Sequence, residues 1–318
     1  KVGIKTAKII LGSEIDKLPD SGVIRLLKRK HNVFAKLSPI QKARIIRLLK
    51  TSGNVVGYMG DGINDTPSLT NSDVGVSVDT AVDIAKETAD IILLEKDLNV
   101  LLDGVTEGRK TFSNLLKYIK LAVSFNFGEV TSVLIASILL PFFPITPIQL
   151  LVQSLLYDIG QLTLPFDNVD IDSLKKPKKW SIRAIRQFMI FMGPLSSAFD
   201  LIVFAMLWFV FKLGPADSAL FQTIWFSYGI VSNLFGMHII RTAKIPFVQS
   251  HASKPVYLSS IIVSLLAIFV PFTALGSAIG LVAIPLKYMA LIFLTPVVYC
   301  IIAQFAKYKY IQKHGEWL

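Results

Sequence analysis

Residues 60–67 read Gly-Asp-Gly-Ile-Asn-Asp-Thr-Pro, directly after an apolar run at residues 54–59 that reads as a short buried strand. A strand ending this way places the carboxylate of Asp61 on a tight turn, and the flanking glycines let backbone approach a ligand closely. Asp65 follows four residues later. If the chain coils after Gly62, Asp61 and Asp65 point toward one hard cation, with Asn64 beside them as a neutral oxygen or amide donor. Such an arrangement suits Mg2+ bridging protein and phosphate.

A second set of chemistry-bearing residues lies in long apolar stretches. An ionisable group inside a bilayer costs about 2.5–3.5 kcal/mol on insertion scales, so Glu129, Asp158 and Asp200 are candidates for function. Asn126 precedes Glu129 by three residues, which puts both on one helix side. Ser154, Tyr157 and Gln161 stand at helical offsets from Asp158 and make a row of oxygen-bearing side chains. Gly160, with Pro144 and Pro147 ahead of the stretch, allows local unwinding that would expose carbonyl oxygens to an ion. Two carboxylates with neutral oxygens suit Mg2+ or Ca2+ far better than a soft metal. Asp200 has a second reading, pairing with Asn233 or His238 inside the protein.

The elements that must position these groups fall into two domains, residues 1–100 and 101–318. Strand-like runs at 3–11, 54–59, 74–78 and 91–94 alternate with helical spacing at 21–30 and 39–50, which predicts a parallel, doubly wound α/β sheet. Residues 97–140 read as one long helix, a basic stalk that becomes a membrane span. Six spans are expected, at about 119–140, 148–164, 188–211, 219–240, 256–275 and 285–306, each near the twenty residues needed to cross. The 53% hydrophobic content demands either a very large core or a bilayer, and the long apolar spans favour the bilayer. The net charge of +11 raises nucleic acid as a partner, but its placement argues against it. Lys175, Lys176, Lys178, Lys179, Arg183 and Arg186 share one connection, Arg241, Lys244 and Lys254 another, and Lys307, Lys309 and Lys313 the tail, whereas 141–147 and 275–285 contain no Lys or Arg. That asymmetry predicts a multi-pass protein of the plasma (inner) membrane with its soluble domain and C-terminus in the cytoplasm. The single cysteine, Cys300, excludes an intrachain disulfide. The first twenty residues lack the long apolar core of a cleavable signal peptide.

The turn at 60–67 resembles the hinge motif Gly-Asp-Gly-x-Asn-Asp-x-Pro of the P-type cation-transporting ATPases. The resemblance extends over nearly the whole chain. Residues 34–42, Phe-Ala-Lys-Leu-Ser-Pro-Ile-Gln-Lys, are similar to the family segment whose final lysine approaches the phosphoryl group, a role that falls on Lys42. Residues 82–94, with Ala85, Ala89 and Asp90, look like the helix and strand before the stalk. Asn126, Gly128 and Glu129 match the family's ion-binding span, and Asp158 with Ser154 matches the next. The run 157–170 looks most like bacterial magnesium-transporting P-type ATPases, while Glu129 keeps Ca2+ open as the transported ion. The resemblance implies an HAD-like phosphorylation domain, ATP as energy source, Mg2+ as cofactor at Asp61 and Asp65, and a phospho-aspartate cycle.

The phosphorylated Asp-Lys-Thr-Gly-Thr motif and the Thr-Gly-Glu loop of that family do not occur here. The chain is therefore expected to be the C-terminal part of a pump, inactive alone and partnered by a missing N-terminal portion. Two other classes stay open: a non-catalytic remnant or regulatory membrane protein, and a membrane-anchored HAD-type phosphatase. Glu129 and Asp158 count against the phosphatase, which needs no acid within its spans.

Overall fold

The computed structural model describes residues 9–29, 31–95 and 97–317. They form two units, Lys1–Val105 and Thr106–Leu318.

In the first unit, strands alternate with helices: β1 (Ile9–Leu11), α1 (Gly12–Asp16), α2 (Asp20–Lys28), β2 (Val33–Ala35), α3 (Pro39–Thr51), β3 (Gly57–Met59), α4 (Thr66–Asn71), β4 (Val74–Val78), α5 (Asp83–Thr88) and β5 (Ile91–Leu93). Every strand pair is parallel, as helical crossovers require. The expected doubly wound sheet is corrected: among the described residues the strands make two small sheets, β1-β2 and β3-β4-β5 in sequence order. β2 was not foreseen, because three residues are too short to display a period. Of the strand expected at 3–11, residues 3–8 lie outside the described residues. α3 starts at a capping box, in which Ser38 Oγ accepts from Gln41 N at 3.3 Å and Ser38 N donates to Gln41 Oε1 at 2.8 Å. Gln41 Nε2 also donates to Gly12 O and Asp16 Oδ2, and Arg44 reaches Ile15 O and Leu18 O, so α3 is fixed against α1 and the turn after it.

The second unit is helical. α6 (Leu98–Leu139) begins in the first unit and continues into this one, followed by α7 (Pro147–Gln161), α8 (Ile171–Leu174), α9 (Ile182–Ala205), α10 (Ser218–Ile240), α11 (Lys254–Phe269), α12 (Ala274–Ala278) and α13 (Met289–His314). Among the described residues, four helical stretches are long and apolar enough to cross a membrane: Leu98–Leu139, Ile182–Val210, Lys254–Phe272 and Leu286–His314. α7 has 15 residues and measures about 22 Å, short of the roughly 30 Å hydrocarbon core. α10 is buried along most of its length, so Thr223, Ser227, Ser232 and His238 meet protein and not lipid. Its own Phe221 and Trp225 form the core with Phe125, Phe188, Phe204 and Tyr299. Gly236 admits Phe125, since a Cβ there would collide with its ring.

One end of this unit is tied by a buried ionic network. Asp167 Oδ2 accepts from Lys117 Nζ at 2.7 Å and Arg241 Nε at 2.8 Å, and Oδ1 accepts from Ser253 N at 3.1 Å. The Asp167 side chain is fully buried, and both cations are nearly so. Three segments distant in sequence are thereby joined. The expected placement of Arg241 and Lys307 among loop charges is corrected, because both are buried. Lys307 Nζ donates to the carbonyls of Ile239, Thr242 and Lys244 at 2.9, 3.0 and 2.9 Å, satisfying the free end of α10.

Candidate cation and phosphoryl sites

The turn after β3 is built by the sheet beneath it. Gly60 N donates to Val76 O at 3.1 Å, Ser77 Oγ donates to Gly60 O at 2.9 Å, and Val82 N donates to Asp61 O at 3.2 Å. These bonds hold Asp61 at the strand's C-terminal end, where α/β sheets gather ligands. Asp61 is exposed and lines a cleft of about 340 Å3 with Met59, Gly60, Val78 and Leu93. A short 3-10 turn, Ile63–Asp65, then carries the chain into α4. Asn64 is exposed on that turn.

Asp65 turns back toward Gly60, which must lack a Cβ because one would collide with Asp65 Cβ. Asp65 Oδ1 accepts from Lys42 Nζ at 2.8 Å and from Tyr58 OH at 2.6 Å, and Oδ2 accepts from Gly62 N at 3.4 Å. Burial alone would raise the Asp65 carboxyl, but bonds from Lys42 and Tyr58 outweigh it and hold the group below the usual carboxylate range. The Lys42 ammonium is raised in turn, chiefly by its bond to Asp65. Asp65 thus orients Lys42, while Asp61 faces the cleft. Among the described residues no three His, Cys, Asp or Glu side chains gather as a metal cluster. Asp61 at an open cleft suits Mg2+, which keeps several waters and takes one or two protein carboxylates.

In the second unit, Glu129 is half-buried and its Oε1 accepts from Gln153 Nε2 of α7 at 3.2 Å. Gly229 of α10 gives Gln153 room, since a Cβ would strike its amide. Ser132 Oγ lies 2.9 Å from Glu129 O and 2.8 Å from Asp200 Oδ2, so a hydroxyl bridges α6 and α9. The expected pairing of Asp200 with Asn233 or His238 is corrected: its partner is Ser132, and His238 Nε2 meets Ser260 Oγ at 3.1 Å.

The row expected around Asp158 divides by burial. Tyr157 and Gln161 face inward, Ser154 is half-buried, and Asp158 is exposed along an apolar stripe of Leu151, Leu155, Ile159 and Leu162. Tyr157 OH and both amide atoms of Gln161 are buried without a hydrogen-bond partner among the described residues. Asn126 is exposed on α6. The expected unwinding at Gly160 is also corrected, because α7 stays helical to Gln161 and Gly160 serves close packing on Leu234.

Sequence reasoning missed Tyr58, Ser132 and Gln153. Gln153 carried a usable signal, since it stands one turn before Tyr157 in an apolar stretch. Tyr58 carried none beyond its place in a strand.

The model of the family described as "Cation transporting ATPase, C-terminus" matches residues 142–309. The chain belongs to this family of cation-transporting ATPases. Its similarity to curated relatives reaches both sites. The magnesium-transporting ATPase, P-type 1, of Salmonella typhimurium is 46% identical over 318 residues, 100% of this chain and 35% of the relative. The protein of the same name from Escherichia coli K12 is 47% identical over 316 residues, 99% of this chain and 35% of the relative. A calcium-transporting ATPase of Bacillus subtilis is 28% identical over 276 residues, 84% of this chain and 31% of the relative. This cation-transporting ATPase segment therefore spans about a third of the length of these relatives.

Proposed function

We propose that the chain is the C-terminal part of an ATP-driven Mg2+ pump that works through a phospho-aspartate cycle. The observation that carries this is Glu129, an acid within a membrane-capable helix whose side-chain partner is the neutral amide of Gln153. A carboxylate kept there at such cost, with neutral oxygens near it, is suited to a hard divalent cation. Asn126, Glu129, Ser154, Tyr157 and Asp158 are the proposed transported-ion residues, with Gln161 and Asp200 behind them. Asp158 and Asn126 are exposed in this chain, and a carboxylate does not face lipid without penalty. Their face is therefore assigned to contact with protein outside these 318 residues, or to a water-lined path.

The first unit is read as part of an HAD-like phosphorylation domain, about residues 1–100, followed by the stalk and membrane domain at 101–318. Asp61, with Asn64 beside it, would hold a catalytic Mg2+, which when bound neutralises charge on the phosphoryl group, while Asp65, expected as a second ligand, is engaged by Lys42 and Tyr58 and would take part through Lys42. Lys42, aimed by Asp65 and Tyr58, would hold a phosphate oxygen. The phosphorylated aspartate and the ATP site are assigned to protein beyond this segment. α7 and α10 complete six membrane helices, α7 by its neighbours' cover and α10 by burial of its polar side chains. The lysine-rich connection at 175–179 supports reading the soluble unit and the tail as cytoplasmic parts of a plasma-membrane protein. The Bacillus relative named as a calcium pump keeps Ca2+ as a second cargo.

The test is a full-length pump containing this segment, purified and reconstituted in liposomes. ATP-dependent Mg2+ movement with an acid-stable phosphoenzyme is expected. Cation-independent phosphatase activity without transport would overturn the reading.

A further inference from the structure

After α13, Gly315 adopts φ of 80° and turns the chain back, so that Trp317 is only 2% exposed. Its indole Nε1 donates to Ile240 O, at the end of α10, at 2.8 Å. Its ring stands 4.7 Å from Phe188 of α9 and 5.5 Å from Tyr310 of α13. Its backbone carbonyl accepts from Lys120 Nζ of α6 at 2.9 Å. Lys120 is buried, and its ammonium otherwise lies 4.9 Å from the Phe188 ring centre. A buried ammonium needs an acceptor, and the tail supplies it.

The receiving end of α10 is itself fixed, because Lys307 holds the Ile239, Thr242 and Lys244 carbonyls. Farther along, α10 meets α6 a second time, through Gly229, Gln153 and Glu129. α6 is therefore referred to α10 at two levels. Between them the helix has no proline, and Glu129 lies nine residues beyond Lys120, about 14 Å along the axis. A shift of α6 at Lys120 is carried to Glu129 with little loss.

We propose that Trp317 is a positioning residue for the cation site, acting through Lys120 to set the height and rotation of α6 at Glu129. The proposal rests on the reading of Glu129 as a transported-ion residue. It is tested on the full-length pump by titrating Mn2+, a paramagnetic stand-in for Mg2+, and counting bound ions by electron paramagnetic resonance, which needs no turnover. Lys120→Met and Trp317→Ala are expected to weaken Mn2+ binding about fivefold, within the range of coupling through packed networks, with the number of ions unchanged. The double variant should bind no more weakly than either single one, because both break one tie. Trp317→Phe, which keeps a ring to pack on Phe188 and Tyr310 and so holds the tail carbonyl in place, should restore most of the affinity. Wild-type affinity in Lys120→Met and Trp317→Ala with a lowered melting temperature would overturn the proposal, as would multiplying effects in the double variant or a wild-type pump that binds no Mn2+. Weakened Mn2+ binding in the variants of a protein that never turns over ATP would support the tie and sink the pump reading.

Discussion

Gln153 Nε2 of α7 donates to Glu129 Oε1 of α6 at 3.2 Å, and Gly229 of α10 leaves the space in which that amide stands. Three helices thus agree on the position of one carboxylate. Replacing Gln153 by Leu removes a bond to an ionisable group, worth about 1–2 kcal/mol. The Mg2+ concentration for half-maximal ATPase activity in the full-length pump should rise about tenfold, with little change in the maximal rate. An unchanged Mg2+ dependence would detach Gln153 from the site.

Glu129→Gln and Asp158→Asn remove one negative charge each while keeping shape. Cation-stimulated ATP hydrolysis should fall about a hundredfold or more in either variant, since a divalent ion loses a charged ligand. Asp200→Asn should have a smaller effect, because Ser132 stands between Asp200 and Glu129. Full activity in Asp158→Asn would remove it from the ion path.

Lys42→Met should lower the rate of phosphoenzyme formation about a hundredfold, the usual loss for one charge-stabilising donor. Tyr58→Phe should act more weakly, by loosening Asp65 alone. Rapid-quench measurement of phosphorylation separates both from defects in ion binding.

The pH dependence of the Lys42–Asp65 pair has a definite sign. Asp65 is held below its ordinary range in the folded state, so its contribution to stability is present above that range and is lost as pH falls through the lowered folded value. Lys42 is raised, so its contribution is present below the ordinary lysine range and is lost as pH rises through the raised folded value. The melting temperatures of wild type and Asp65→Asn should therefore differ at neutral pH and converge on acidification. A difference that persists into strong acid would show that the pair is not responsible.

Asp167→Asn leaves Lys117 and Arg241 buried without their shared carboxylate. Breaking a buried pair in this way costs about 3–5 kcal/mol, more than an exposed bridge could. Thermal unfolding in detergent should show a clearly lowered transition, whereas Asp172→Asn, whose pairs with Lys175 and Lys244 are exposed, should leave it unchanged.

The chemistry-bearing turn was legible because a Gly-Asp-Gly sequence after an apolar strand restricts the backbone whatever surrounds it. Glu129 and Asp158 stood out for a similar reason, since a charge in an apolar stretch is conspicuous at any register. The number of membrane-capable helices was less legible. α10 carries hydroxyls, two amides and a histidine that a lipid-facing helix would not, and only its central place makes them harmless.

What the sequence determined by itself was local: strand, turn and helix propensities, the hinge motif, and which stretches are apolar enough for a membrane. What tertiary structure decided was pairing across distance. Nothing in the chain's pattern joins Lys42 to Asp65, Lys117 to Arg241 through Asp167, or Lys120 to Trp317, which are 23, 50 to 74, and 197 residues apart. Periodicity says which side of an element is buried but not what it is buried against. That choice follows from close packing, which tests all the helices together.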